Sequence, residues 1–201
     1  MLSVLVARLP IATSLGDIER AKLWLDKLRG LLRARASWQD LQNLWLFRGE
    51  VERIAGRLPA AKQAYQTALV LGRQRGLHNE SILLNLAAMN LDAGDLVAAR
   101  ETLTEAGDEQ SVASPHSHEL RTSRAVLRAE LGIRSVRASE ASSALQDAEI
   151  LQAQSPIGHP LLLNSLRRSI HAESTPGVAE RLKRLQADMV SRLKFGHRRR
   201  R

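Results

Sequence analysis

Residues 42–75 read QNLWLFRGEVERIAGRLPAAKQAYQTALVLGRQR, and this stretch decides the fold. Its apolar residues recur every three to four positions on both sides of Gly56, which is the period of an amphipathic helix. Glycine permits the backbone of a tight turn, and Pro59 suits the first turn of a following helix. The stretch therefore predicts two helices joined by a short turn, in which the small residue Ala61 lets the helices approach and Tyr65 fills the space beside it.

The same pattern returns elsewhere in the chain at intervals of 38 to 42 residues. Its reference positions are Gly49, Gly56, Ala61, Tyr65 and Ala68. Forty residues earlier stand Leu9, Gly16, Ala21, Leu25 and Leu28, and 38 residues later stand Ala87, Gly94, Ala99, Leu103 and Ala106. A further 42 residues give a degenerate copy, Ala129, Val136, Ala141, Leu145 and Ala148. Self-similarity at such a period indicates a stacked repeat, and Asp17 and Asp95, each directly after a turn glycine, are predicted N-caps.

The composition favours helices throughout the chain. Ala, Leu, Arg, Gln and Glu dominate the 201 residues, and all are good helix formers. Aromatic residues make up only 3%, and no stretch alternates convincingly between apolar and polar residues as a half-buried strand would. The sequence therefore predicts an all-α protein without a β-sheet.

The repeated pattern resembles the tetratricopeptide repeat, an antiparallel helix pair of about 34 residues. In the best copy, 42–75, Trp45 stands at the family's aromatic or leucine position and Gly49 at its small position; 2–35 and 80–113 are fair copies. The resemblance implies a solenoid of antiparallel helix hairpins, wound as a right-handed superhelix, that binds another protein. Such irregular arrays are also similar to the sensor or scaffold regions of large bacterial signal-transducing ATPases, kinases and transcription activators. The chain departs from the family at Pro10, late in a first helix, and in lacking the proline that ends the consensus repeat.

The repeat pattern weakens after residue 107. We predict three helix pairs over 1–113, a polar linker at 107–119 that includes 114–119, degenerate helix pairs closing the array over 120–194, and a basic tail at 195–201. Within the closing region, helices are expected at 120–131, 139–154, 161–171 and 178–193, and the last of these has the single apolar stripe that a terminal helix needs. The repeat begins at Leu2 without a capping helix before it, which is compatible with a segment of a longer protein.

The net charge of +9 is concentrated near the C-terminus. Residues 160–201 carry 11 Lys and Arg against 3 Asp and Glu, whereas 1–159 carry 19 against 18. A basic tail can neutralise a few phosphates and bind nucleic acid weakly and with strong salt dependence, or it can be a solvated terminus. A nucleic-acid-associated adaptor is therefore the alternative function, with these candidate polyanion contacts: Arg192, Lys194, Arg198, Arg199, Arg200 and Arg201.

The sequence lacks the motifs of common catalytic and cofactor sites. It has no phosphate-binding loop, no dinucleotide fingerprint, no nucleophile elbow and no cysteine. His116 and His118 have no third ligand in view, His78 is expected in a turn, and His159 and His171 stand without an acid partner. We therefore expect no enzyme activity, no cofactor and no metal site.

The apolar runs and the N-terminal residues also indicate where the protein is located. No apolar run approaches eighteen residues, and the N-terminus has no basic region ahead of an apolar one, so a cytoplasmic protein is expected.

Trp24, Trp38 and Trp45 lie on or beside helical apolar stripes, which favours core packing. Trp38 follows Ser37 in a sequence typical of a capping box and is expected to be the most exposed of the three.

The remaining candidate site is the groove that the first helices of stacked pairs line in proteins of the resembled family. By helical spacing Asn43, Leu46, Glu50 and Arg53 share one face, and in the next copy Leu84, Asn85, Ala88 and Asp92 share one. We predict that this mixed stripe binds an extended peptide or a helix of a partner protein. The alternative is a solvated or internally packed stripe.

Overall fold

The computed structural model describes residues 9, 12–13, 17–32, 36–108, 117–154, 160–172 and 176–198. Within this part none of the residues lies in a strand, and the chain is all-α as predicted. In the described part nine helices have both bounds: α1 Ile18–Leu32, α2 Trp38–Ile54, α3 Leu58–Arg75, α4 Glu80–Ala93, α5 Leu96–Asp108, α6 Ser117–Arg134, α7 Ala138–Gln154, α8 Pro160–Ala172 and α9 Pro176–Arg198.

Consecutive helices pack as hairpins, and neighbouring hairpins contact each other through their first helices and also through the packing of α3 on α4 and of α5 on α6. The hairpins are α2–α3, α4–α5, α6–α7 and α8–α9, and α1 packs on α2. The first helices α2, α4, α6 and α8 each contact the next one in this series. The all-α fold without a sheet is confirmed for these residues, while the solenoid and its right-handed superhelix stay expectations.

The turns inside three hairpins have the same geometry. Gly56, Gly94 and Val136 all have positive φ, at 74°, 80° and 56°. In each turn the following amide N–H donates to a carbonyl five residues earlier: Arg57 to Glu52, Asp95 to Asn90, and Arg137 to Gly132, at 2.8–2.9 Å. This is the bond that ends a helix in a Schellman motif. The predicted turns at Gly56 and Gly94 are confirmed, and the degenerate copy at Val136 keeps the turn without the glycine.

Val136→Gly should therefore stabilise the protein. A left-handed backbone costs an L-residue about 1–2 kcal/mol, and the entropy of glycine in the unfolded chain offsets part of that gain. The side chain is 91% exposed, so little packing is lost. We expect a gain of about 1 kcal/mol in the free energy of unfolding, measured by urea denaturation. Val97→Gly, at an exposed site inside α5, is the control and should destabilise the protein; a gain there, or a loss at Val136, would contradict the prediction.

The helix starts follow the predicted capping. The Asp17 carboxylate accepts from the Arg20 amide at 3.1 Å, and the Asp95 carboxylate accepts from the Ala98 amide at 3.0 Å. Ser37 and Asp40 form a reciprocal capping box at the start of α2, and Pro59 lies in the first turn of α3. The local signals at these helix starts therefore agree with the structure.

The core runs through the hairpin interfaces. At the best repeat copy, Gly49 lies directly against the ring of Tyr65, so closely that an added Cβ would collide with it. Tyr65, Ala61 and Ala68 are fully buried. Ala61 and Tyr65 are thus buried in this hairpin, and the small residue that lies against the tyrosine ring and permits the close approach of α2 and α3 is Gly49.

The helices around the linker are longer than predicted. Helix α5 continues to Asp108 and α6 begins at Ser117, so both extend into the linker predicted at 107–119. Residues 109–116 lie outside the described part. The later helices match their predicted positions within a few residues, and the division of the chain into domains stays a prediction.

Candidate functional site

The predicted groove residues divide into a buried set and a polar set. Leu46, Leu84, Asn85 and Ala88 are 8%, 2%, 8% and 0% exposed, so the chain itself covers them. This corrects their expected place on an open groove and corresponds to the internally packed alternative. Of the polar remainder, Asn43, Glu50 and Asp92 keep part of their surface accessible, although the Oε2 atom of Glu50 is covered; the Arg53 side chain is only 8% exposed. A binding role for the stripe stays a prediction, and a partner could reach it only through this polar remainder.

A network of ion pairs joins the C-terminal ends of the first helices. Arg53 of α2 lies 3.2 Å from Asp92 of α4, and the other oxygen of Asp92 lies 2.5 Å from Arg168 of α8. Arg168 also makes a bidentate bond to Glu130 of α6, at 2.6 and 2.9 Å. The network therefore links four helices that are far apart in sequence. Cations are also favourable at helix C-termini, where the backbone dipole places partial negative charge.

Glu130 is the centre of this network. Its side chain is 0% exposed, and besides Arg168 it accepts a hydrogen bond from the Ser165 hydroxyl at 2.6 Å and lies 3.5 Å from Arg134. Burial lowers the pKa of Arg168, but the hydrogen bonds and charge of Glu130 outweigh this and hold the pKa above its ordinary value. Arg134 also donates to the carbonyl of Leu91, which extends the network to the α4 backbone.

Glu50 and Tyr65 lie at the α2 end of the network with unsatisfied polar atoms. Glu50 Oε2, Arg53 Nε and the Tyr65 hydroxyl are inaccessible to solvent and have no hydrogen-bond partner within the described part. Burial raises the pKa of Glu50 to about 7, although the positive charge of Arg53 opposes the shift. Burial also raises the pKa of Tyr65 above its ordinary value. Such unpaired buried groups cost stability. Because the pKa of Glu50 is about 7, its carboxyl group changes charge near neutral pH.

An open surface cavity lies on a different stripe of α2. Its volume is about 470 Å³, and four apolar and four polar residues line it. Leu41 and Trp45 of α2 meet Val70 and Leu71 of α3 there, and three exposed glutamines border them, Gln63, Gln66 and Gln74. Val70 is 51% exposed. The sequence does not predict this site, because α2 carries two apolar stripes and periodicity alone does not tell which one the hairpins cover.

The tryptophans are covered by cations from the same chain. Lys27 lies 4.8 Å from the Trp24 ring centre, Arg75 lies 3.8 Å from that of Trp38, and Arg48 lies 5.1 Å from that of Trp45. Trp24 and Trp45 pack against the core, while Trp38 is 49% exposed, so the predicted order of exposure is confirmed.

The histidines and the basic tail are described only in part. The His118 ring lies 2.9 Å from the Leu151 carbonyl and joins α6 to α7, whereas His116 lies outside the described residues. Arg192, Lys194 and Arg198 belong to α9 by backbone, but their side chains are outside the described set. Arg199, Arg200 and Arg201 lie wholly outside the described part. The polyanion contact of the tail therefore stays a prediction.

Across the described residues, His, Asp and Glu form no cluster of three or more that could hold a metal ion. The same residues include no helix that is both long and apolar enough to cross a bilayer.

No family model matches the chain. No curated protein matches it either. Among solved structures, it is similar to the apo form of the quorum sensor NprR from B. thuringiensis, at 13% identity and a TM-score of 0.40. The match covers 96% of this chain but only 65% of the NprR chain. At that distance the likeness adds nothing to what the helices themselves show.

Proposed function

We propose that the chain is a non-enzymatic scaffold or regulatory module of the tetratricopeptide-like kind, cytoplasmic and part of a bacterial signalling or regulatory system, that binds a peptide or helix of a partner protein. The observation that supports this most directly is the 470 Å³ cavity between α2 and α3. Half-buried Leu41, Trp45 and Leu71 offer contact area for apolar side chains, and the bordering glutamines offer donors and acceptors for a peptide backbone. Because none of the residues that line this cavity is charged, its occupant is an uncharged, apolar segment.

The alternative function, a nucleic-acid-associated adaptor, depends on the tail at 195–201 and on Arg192 and Lys194. Binding that weakens steeply with salt and disappears on deletion of 192–201 would support it.

Val70→Glu tests the cavity. Short peptides are selected from a random display library on the wild-type protein, and we expect them to include an apolar class. That class should bind the Val70→Glu variant at least about tenfold more weakly than the wild type, because the contact would desolvate the new carboxylate. Fluorescence anisotropy with labelled peptides gives the dissociation constants.

Val97→Glu is the matched control. Val97 is 70% exposed on α5 and does not line the cavity, so its variant should bind the apolar class as the wild type does. If no peptide is enriched above the input library, or if Val70→Glu binds the apolar class unchanged, the proposed function is wrong.

A further inference from the structure

A second cavity, of about 250 Å³, lies between α6 and α7 and is bordered by arginines. Arg121, Arg124 and Arg128 occupy positions i, i+3 and i+7 of α6 and therefore share one face of that helix. Asp147 of α7 is the acidic residue among those that line the cavity. The site thus has three positive charges against one negative charge.

The arginines are not all engaged within the protein. Arg124 is partly buried; it donates to the Ala106 carbonyl at 3.4 Å and lies 3.9 Å from Glu80. Arg121 and Arg128 are exposed, and neither makes an ion pair with another residue of the described part. Like charges three and four residues apart on a helix destabilise it. Among the described residues Arg121 and Arg128 thus have no ion-pair partner, although each is an unfavourable like-charged neighbour of Arg124, which the fold holds in place.

The surface between these arginines is apolar. Ala125, Ala144 and Leu151 are buried at the cavity, and Ile150 is 48% exposed beside them. A cavity of this size is smaller than the usual site of an enclosed small molecule, so it fits one or two side chains of a larger partner. Arg121 and Arg128 are separated by about 10 Å along the helix axis, since each residue rises about 1.5 Å. Their separation suits two separate carboxylates better than one compact phosphate group.

We propose that this cavity binds an acidic segment of a partner protein in a polyproline II conformation, with two carboxylates three residues apart and an apolar side chain between them. Such a chain has three residues per turn and rises about 3.1 Å per residue, so residues three apart share one face and lie about 9 Å apart, close to the spacing of Arg121 and Arg128. The carboxylates pair with these two guanidinium groups, and the apolar side chain packs on Ile150. The inference rests on the proposed function, because it names a second class of peptide that the same module recognises.

The test uses Arg121→Gln/Arg128→Gln, with Arg167→Gln/Arg184→Gln as the control. The control removes the same charge from exposed arginines of α8 and α9 that do not line the cavity. We expect peptides selected on the wild type to include a class with Asp or Glu three residues apart. That class should bind the Arg121/Arg128 variant at least about tenfold more weakly at low ionic strength and the control variant within about twofold of the wild type.

Three outcomes would overturn the inference: the absence of an acidic class, equal binding of that class to the Arg121/Arg128 variant, or an equal loss of its binding in the control variant. A single-stranded oligonucleotide of about 20 residues should bind more weakly than the acidic peptides. If instead it binds more tightly and only the Arg121/Arg128 variant loses it, the site recognises phosphates. The two proposals fail separately, because the apolar class sensitive to Val70→Glu reports on the proposed function and the acidic class reports on this inference.

Discussion

Glu130→Ala should lower the free energy of unfolding by about 2–4 kcal/mol, because it removes a buried carboxylate and leaves two partly buried arginines with fewer partners. Glu130 is fully buried and binds Arg168 through both carboxylate oxygens, while the Ser165 hydroxyl donates to one of them. The variant leaves two guanidinium groups, of Arg168 and Arg134, without their shared carboxylate, and Arg168 keeps only Asp92. Urea denaturation followed by circular dichroism measures the loss.

Glu149→Ala is the matched control. Glu149 also binds an arginine two helices later through both of its oxygens, but its side chain is 36% exposed. Exposed ion pairs contribute only about 0.2–1 kcal/mol, because water screens the charges and the long side chains lose freedom. If Glu130→Ala lowers the free energy of unfolding no more than Glu149→Ala does, the burial of Glu130 does not increase its contribution to stability.

A double variant separates the ion pair from the packing around it. Glu130→Leu combined with Arg168→Met replaces both charges with apolar groups of similar size. Such replacements of buried ion pairs are often neutral or stabilising, because both charges of the pair are removed together. The remaining charges keep other partners: Arg134 still donates to the Leu91 carbonyl, and Asp92 still pairs with Arg53. We therefore expect the double variant to recover most of the stability that Glu130→Ala loses. If the double variant is as unstable as Glu130→Ala, the stability of the protein depends on the charged network itself and apolar side chains cannot replace it.

The sequence predicts the helices well because their signals are local. Gly56 and Gly94 end their helices with a left-handed backbone. Ser37 and Asp95 cap the starts of α2 and α5. Gly49 leaves room for the ring of Tyr65. Each signal acts within about 16 residues. Val136 shows where local signals fail: the structure keeps the turn although the residue lacks the glycine signal, because the helices on both sides fix its backbone.

The candidate sites are harder to predict because they join distant residues. Glu130 and Arg168 are 38 residues apart, and the signal that the Glu130 carboxylate is buried lies in the apolar residues on its own helix face, Val126, Leu127 and Ile133. The arginine series at 121, 124 and 128 is visible in the sequence as a helical spacing. What the sequence does not contain is the position of Ile150 and Asp147 beside it, since that depends on how α7 packs on α6.

The wild-type protein should lose stability as pH rises from about 4.5 to about 7, and Glu50→Gln should abolish that loss. Burial raises the pKa of Glu50 from 4.5 to about 7, with Arg53 opposing the shift. Between these values the unfolded chain has an ionised Glu50 while the folded chain keeps it protonated, so the unfolded state binds fewer protons and stability falls with pH. The stabilising effect is complete below about 4.5 and gone above about 7.

The expected loss is roughly 2–3 kcal/mol, because each tenfold difference in proton affinity between the folded and unfolded chains is worth about 1.4 kcal/mol and the surroundings of the carboxylate relax in part. The groups near Glu50 are Arg53 on its own helix and Tyr65 of α3; Asp92 of α4 lies near Tyr65 and is paired with Arg53. Unfolding free energies of both proteins at pH 5 and pH 8 measure the effect, and Glu52→Gln, whose carboxylate pairs with Arg57 near the surface, is the control. We expect Glu50→Gln to be the more stable protein at pH 8, because its neutral amide occupies the same space without a buried charge. Equal pH dependence in the wild type and Glu50→Gln would place the titrating group elsewhere in the network.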